Sequence, residues 1–388
     1  MKEKLRLGRF VNLKRGYDLP ARDRVDGPYP IISSSGITGK HNSAKVSGPG
    51  VVTGRYGTLG EVFFVEGEFW PLNTSLYVQD FKGNDARFIY YFLKTVLSEN
   101  FNSAGAVPGV NRNVLHKLAI PEPPKEQKKV AAVLAAYDQL IQNNDDRIAI
   151  LQAMAGEIYR EWFVRMRFPG YESTEFTKGV PKGWSVRPIS TFAKEVRSSV
   201  KREDLRDDEL YVGLEHLPRK SIALGNHTTV ASIDSNKLRF KERDILFCKI
   251  RPYLHKVVLA HVAGVCSTDA IVLRPTDSVH EAFLLYTVFS DTFIELATVA
   301  SKGTKMPRAD WAFLEKLELK VPTKELLEEF QEYFDGVFQQ ITNRLAANQL
   351  LKEVRPWLLR RLMSNKLSVD GLDIANPEIL AKAGETDA

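Results

Sequence analysis

Few side chains in this 388-residue sequence stand at spacings that perform covalent chemistry. Gly36-Ile-Thr-Gly-Lys-His outlines a phosphate-binding loop, but its glycines are too closely spaced and Lys40 is followed by His41. Glu318-Leu-Lys320 carries the Glu-x-Lys half of many nuclease centres without the Pro-Asp pair that precedes it there, and it falls at the end of a predicted strand. An adenine methyltransferase needs an Asn/Asp-Pro-Pro-Tyr/Phe segment and a glycine-rich cofactor loop after a strand, and neither occurs. The seven histidines show no His-x-x-x-His pairing for a metal, and no nucleophile stands with a base. Two cysteines, Cys248 and Cys266, are too few for a four-ligand zinc site or a disulfide framework and read as buried thiols. The expectation is a chain that is not an enzyme, with no catalytic residue, no metal and no cofactor of its own.

The elements that carry these residues belong to a globular protein of ordinary composition, 44% hydrophobic and 26% charged. Its length allows two or three domains with cores of their own. No run approaches the roughly 20 apolar residues of a membrane span, and the N-terminus lacks the apolar stretch of a secretory signal. A cytoplasmic protein without a membrane partner is expected. The net charge of +6 is concentrated in residues 1–120 and 171–320; the block between them is balanced and residues 321–388 are acidic. Two basic blocks in alternation point weakly to a polyanion.

The chain repeats itself. Each half has a β-rich part, a short apolar helix, a proline boundary and a long amphipathic helix. Residues 50–54 (Gly-Val-Val-Thr-Gly) and 60–65 (Gly-Glu-Val-Phe-Phe-Val) answer to residues 244–250 and 255–260 as short strands of a compact α+β domain. Residues 87–94 parallel 281–288 as a buried helix. Prolines at 121 and 322 close a strand, and acidic residues open the helix that follows. In the first long helix Val130, Leu134, Tyr137, Ile141, Asn144, Ile148, Leu151, Ala155, Ile158 and Trp162 alternate by four and three, a heptad seam. The second carries Phe330, Phe334, Val337, Ile341, Leu351, Leu358 and Leu362 on the same seam, with Arg344, Asn348 and Arg355 where apolar residues are expected. Pro356 is expected to kink or break it near Arg355. Matched seams predict that the helices pair antiparallel, bringing Asn144 close to Arg344 and Asn348 to fix register.

These features resemble the specificity subunits of type I restriction-modification systems. The resemblance spans nearly the whole chain and rests on Val-Thr-Gly-Arg-Tyr-Gly-Thr-Leu-Gly from Val52, Ile-Pro-Glu-Pro-Pro-Lys-Glu-Gln-Lys-Lys from Ile120, Tyr-Arg-Glu-Trp-Phe-Val-Arg from Tyr159, and Val-Pro-Lys-Gly-Trp ending at Trp184. It implies an α+β fold of two globular target-recognition domains separated by two long helices forming an antiparallel coiled coil, with a pseudo-twofold internal repeat. The corresponding boundaries are residues 1–122 and 168–322 for the recognition domains, 123–167 and 323–366 for the spacer helices, and 367–388 for a tail. The resemblance also implies that each recognition domain reads half of a bipartite, asymmetric site in double-stranded DNA. Two modification subunits would methylate adenine with S-adenosylmethionine bound on them rather than on this chain, and restriction subunits would join them to cleave.

Reading base edges calls for Arg, Lys, Asn, Gln, Ser or Thr side chains, with further cations on phosphates. Loops with that composition supply the candidate contacts. In the first domain these are Ser34, Lys40 and His41; Arg55, Tyr56 and Thr58; Asn73; and Asn111 with Arg112. In the second they are Lys249, Arg251, Tyr253 and Lys256; Thr268; and Lys302, Thr304, Lys305 and Arg308. Each has a plainer alternative: Arg55 as a surface cation beside Glu61, residues 73–75 as a turn before a strand, Asn111 as a helix cap. Two other functions stay open on the residues alone, an enzyme with dispersed catalytic groups and a helical scaffold that does not bind DNA.

Overall fold

The computed structural model describes residues 5–55, 61–101, 111–232, 235–303 and 305–373. The chain forms two compact units, one from residues 1–141 and 351–388 and the other from residues 142–350.

In the first unit α1 (Leu7–Phe10) leads into β1 (Asn12–Arg15). The hairpins β2 (Tyr29–Ser33) with β3 (Gly36–His41) and β4 (Gly50–Gly54) with β5 (Val62–Val65) follow, then β6 (Trp70–Pro71) and β7 (Ser75–Asp80). Three helices come after them: α2 (Ala86–Phe101), α3 (Arg112–His116) and the start of α4 (Gln127–Tyr159). One sheet has the order β1-β7-β4-β5, all antiparallel. The other is β3-β2-β6, with β2 and β6 parallel. Strand β4 is buried along its length because the β-branched Val51, Val52 and Thr53 suit a pleated surface covered on both faces. Helix α2 turns Phe88, Ile89, Phe92, Leu93 and Val96 inward as one stripe, into the same core as Leu13, Val51, Leu76 and Val78. Burying each large side chain there contributes about 1.5–3 kcal/mol. Gly50 is required in this packing, since a Cβ there would stand 2.2 Å from the Phe69 ring.

The second unit opens with a small hairpin, β8 (Phe176–Thr177) and β9 (Val180–Pro181), then β10 (Ser185–Pro188), β11 (Ala193–Glu195), β12 (Ser199–Val200), β13 (Leu210–Val212) and β14 (Thr228–Thr229). Next come β15 (Lys237–Phe240), β16 (Ile245–Cys248), β17 (Val257–Leu259), β18 (Gly264–Cys266) and β19 (Ala270–Pro275). After α5 (Glu281–Phe289), α6 (Asp291–Val299) and α7 (Trp311–Leu314), β20 (Glu318–Val321) pairs with β10 and leads to α8 (Lys324–Met363). Sheet β11-β19-β16-β17 is again antiparallel, and β13 and β18 are parallel neighbours within β12-β15-β18-β13-β14.

The repeat seen in the sequence is therefore a repeat of topology, and it reaches individual hydrogen bonds. The last register pairs of corresponding strands are Gly54 with Ser75 and Cys248 with Ala270. One residue on, Arg55 N–H donates to Thr74 O at 3.0 Å and Lys249 N–H to Asp269 O at 3.0 Å. The turns entering β7 and β19 also match: Ser75 N–H donates to Leu72 O at 2.9 Å, and Ala270 N–H to Ser267 O at 3.0 Å. Arg55 thus corresponds to Lys249, and Asn73 to Thr268.

Within the second unit Ile148, Ala155 and Tyr159 of α4 share a core with Phe330, Phe334, Val337 and Ile341 of α8. Asn144 Nδ2 donates to Asn348 Oδ1 at 2.8 Å, while the Tyr159 and Phe330 ring centroids are 6.3 Å apart. As one residue number rises the partner's falls, so these segments run antiparallel. Within the first unit Val130 and Leu134 are buried with Leu358 and Leu362, and Asp138 receives the Arg355 guanidinium. The remaining seam residues, Tyr137, Ile141, Leu151, Ile158, Trp162 and Leu351, are half-buried.

Two details differ from the heptad expectation. At its C-terminal end α4 buries Tyr159 and Phe163 more deeply than Ile158 and Trp162, and a π-helical turn over Arg160–Val164 accompanies the shift. The wider turn lets both rings enter the aromatic cluster of Phe283, Tyr286 and Phe330. The expected break at Pro356 is absent, and α8 runs unbroken through it. A proline in a helix interior costs about 3 kcal/mol; here Leu358, Leu362 and Met363 beyond it are buried and Arg355 before it is held by Asp138, so packing on both sides offsets the missing donor.

Candidate nucleic-acid interface

The three loops singled out in the second half come together. Residues 249–256 connect β16 and β17, residues 267–269 enter β19, and residues 301–308 follow α6. Lys249 Nζ donates to Thr268 O at 2.7 Å. Arg308 Nε donates to Asp269 Oδ1 at 3.2 Å. Arg251 N–H donates to Pro307 O and Ala309 N–H to Lys249 O, both at 2.8 Å. Arg251 and His255 bracket a 3-10 turn over Pro252–Leu254 with φ of 49° and 52°, a left-handed conformation that non-glycine residues adopt at an energetic cost. His255 Nε2 lies 2.7 Å from Phe289 O with its ring edge-on to Phe289, and Lys256 Nζ donates to Leu214 O at 2.5 Å. This scaffold leaves Tyr253, 54% exposed, at the tip.

The resulting surface is basic and exposed at Arg251, Lys302, Lys305 and Arg308, with Tyr253 and Thr268 beside them. Lys249 and Lys256 are candidates of a different kind, since both ammonium groups are bound to carbonyls and hold the loops. Lys302 Nζ reaches Asp310 Oδ2 at 2.6 Å. Thr304 lies outside the described residues. Asp269 lies in the same Ser-Thr-Asp turn as the candidate Thr268 but is not itself among the candidates, because acidic groups are not sought on a surface that meets a polyanion.

In the first unit the candidate residues fall in separate settings. Ser34 and Lys40 belong to the β2–β3 hairpin, half-buried and exposed respectively. His41 is 6% exposed; Val25 N–H donates to its Nδ1 at 3.1 Å and its ring stands edge-on to Trp70. It is a core residue and leaves the contact surface, because its position in β3 points it inward. Arg55 is half-buried at the end of β4, and Tyr56 and Thr58 lie outside the described residues. Asn73 sits in the turn before β7, donating from Nδ2 to Asp18 and from its backbone to Tyr17 O at 3.0 Å. Asn111 is the cap of α3, its side chain accepting from Asn113 N–H at 3.0 Å, with Arg112 exposed after it. Among the described residues no hydrogen bond or ion pair joins Asn111 or Arg112 to the other two loops.

Among the described residues no group of three or more His, Cys, Asp or Glu is placed to hold a metal. Cys248 and Cys266 are free and buried, and burial pushes the Cys266 thiol up to about 12. Burial holds His116, His227, His255, His261 and His280 below the ordinary imidazole range. No single helix among the described residues is long and apolar enough to cross a membrane.

Each unit is thus a copy of one α+β fold with basic loops at the ends of its sheets, and inside each unit segments of the two long helices run antiparallel. Residues 2–153 match the family described as "Type I restriction modification DNA specificity domain". The chain is 25% identical over 307 residues to the type I restriction enzyme MjaIX specificity subunit of Methanocaldococcus jannaschii, covering 74% of this chain and 70% of that protein. It is 22% identical over 417 residues to the type I restriction enzyme EcoDI specificity subunit of Escherichia coli, covering 97% and 92%. The S subunit of the type I restriction-modification system from M. genitalium shares the fold, with a TM-score of 0.61 at 15% identity over 93% of this chain and 96% of that one. Over nearly its whole length the chain is similar to the specificity subunits of type I restriction enzymes, as its motifs indicate.

Proposed function

We propose that this chain is the DNA-specificity subunit of a type I restriction-modification complex, and that each unit reads one half of a bipartite, asymmetric site. The observation that carries this reading is the matched strand pair of the two units, β4 with β7 and β16 with β19. The same strand pairs end in basic, polar loops, at Arg55 and Asn73 in one and Lys249 and Thr268 in the other, on one scaffold with different side chains. Loops on a rigid scaffold are where specificity is usually held. The 33 residues of α4 rise ~50 Å at ~1.5 Å each, more than the ~34–36 Å of one DNA turn. A helix of that length suits a spacer that sets the unread gap.

The chain itself supplies recognition and no chemistry. Two modification subunits dock on it and methylate adenine, binding S-adenosylmethionine themselves, and restriction subunits join them to cleave; the complex works in the cytoplasm. The test is the methylome of the host with and without the gene. Loss of one bipartite methyladenine motif on deletion is the expected result. An unchanged methylome, or methylation or cleavage by the purified chain alone, overturns it.

A further inference from the structure

We propose that Asp269 and Arg308 form a buttressed guanine-reading pair, so that the half-site read by the second unit contains a guanine contacted by Arg308; this rests on the DNA-reading function proposed above. Arg308 is fixed at both ends. Its backbone exchanges hydrogen bonds with Lys302 at 2.9 and 3.0 Å, and the following residue is tied to Lys249 O at 2.8 Å. Its Nε is bound to Asp269 Oδ1 at 3.2 Å while the side chain stays 49% exposed. No described residue hydrogen-bonds its two terminal nitrogens.

A guanidinium held through Nε presents the terminal N–H groups as a fork, and that fork matches O6 and N7 of guanine in the major groove. Fixing it beforehand removes side-chain entropy that binding would otherwise lose. The neighbouring cations are built differently. Lys305 is an exposed point charge on a flexible stem, suited to phosphate; Lys302 is bound to Asp310; Arg251 is held through its backbone, which donates to Pro307 O and accepts from Leu254 N–H. Asp269 also explains its own place on a basic surface. A carboxylate 30% exposed opposes a polyanion unless its charge is compensated, and Arg308, with Lys249 Nζ 3.9 Å away, compensates it. Asp269 is thus a positioning residue and Arg308 the contact.

The experiment selects duplexes from a random-sequence library with the purified chain bound to its modification partner, comparing the parent with Arg308→Ala, Arg308→Lys and Asp269→Asn. The parent enriches a bipartite motif. Arg308→Ala and Arg308→Lys lose guanine discrimination at one position by about 5- to 150-fold and keep the rest of the motif. Asp269→Asn loses discrimination at the same position while its affinity for unrelated DNA is unchanged or higher, since a negative charge has been removed. A purely structural Asp269 would lower both, and thermal unfolding of each variant reports the fold directly. Uniform weakening on all sequences by Arg308→Lys, or a specificity change in Asp269→Asn at another position, overturns the pair. If the parent enriches no sequence, the DNA-reading function itself fails, a separate outcome.

Discussion

Asn144 and Asn348, 204 residues apart, share a hydrogen bond of 2.8 Å between the two long helices, and Asn348 Nδ2 donates on to Asp145 Oδ1 at 2.8 Å. Asn348 is 3% exposed. A polar pair set in an apolar seam matches itself in one register only, because any slip of the helices buries an unpaired amide.

Asn348→Leu leaves the Asn144 amide without its acceptor and should destabilise the protein by about 1–3 kcal/mol, read from chemical denaturation. Asn144→Leu with Asn348→Leu should recover most of that loss. If the spacer sets the gap, the double variant should also tolerate targets whose gap differs from the natural one; a double variant less stable than the single would sink the idea.

Tyr91, Asp138 and Arg355 bring α2, α4 and α8 to one point, with Tyr91 OH donating to Asp138 Oδ2 at 2.8 Å and Arg355 Nη2 to the same oxygen at 2.9 Å. Burial first, and then the Asp138 charge, raises the Tyr91 phenol well above its ordinary value near 10. The folded protein holds that proton more tightly than the unfolded chain. Its stabilising share is therefore complete below about pH 10 and is lost as pH rises beyond it. Tyr91→Phe should cost about 1 kcal/mol at pH 7 and lose stability less steeply above pH 10. Parallel stability curves for the two proteins would show that the phenol is not responsible.

Pro356 removes the backbone donor that Lys352 O would otherwise meet within α8. Pro356→Ala should raise stability by up to about 3 kcal/mol, measured as a higher unfolding midpoint. A lower midpoint would mean that the proline shapes the helix in a way its neighbours depend on.

Removing the positive charges of Arg55, Arg112, Arg251 and Lys305 together should weaken DNA binding, and the slope of log affinity against log salt should fall by ~0.9 for each phosphate that is no longer neutralised. His41→Ala should instead reduce stability, because Val25 N–H loses its acceptor, and leave the salt slope alone. Intact affinity in the fourfold variant would reject the loop assignment.

Cys248 and Cys266 are both buried with thiols raised by desolvation, so neither holds the thiolate needed for attack at neutral pH. A thiol reagent at pH 7.5 should label neither in the folded protein and both in denaturant. Rapid labelling of the native chain would contradict their burial.

The order of elements, the duplication, the two seams and the absence of catalytic spacing are legible in the residues themselves, because periodicity and turn chemistry are local properties of a chain. The polar interruptions at Asn144, Asn348 and Arg355 mark by residue type alone where the helices must find partners. Which partners they find is another matter. Arg355 meets Asp138 across 217 residues and Arg308 meets Asp269 across 39, encounters set by which strand ends and helix faces the fold brings together. His41 faces the core rather than solvent because the β2–β3 hairpin turns it toward Trp70, and α8 continues through Pro356 because its flanks are already packed. Each of these depends on burial and on long-range pairing, quantities that exist only once the chain has closed on itself.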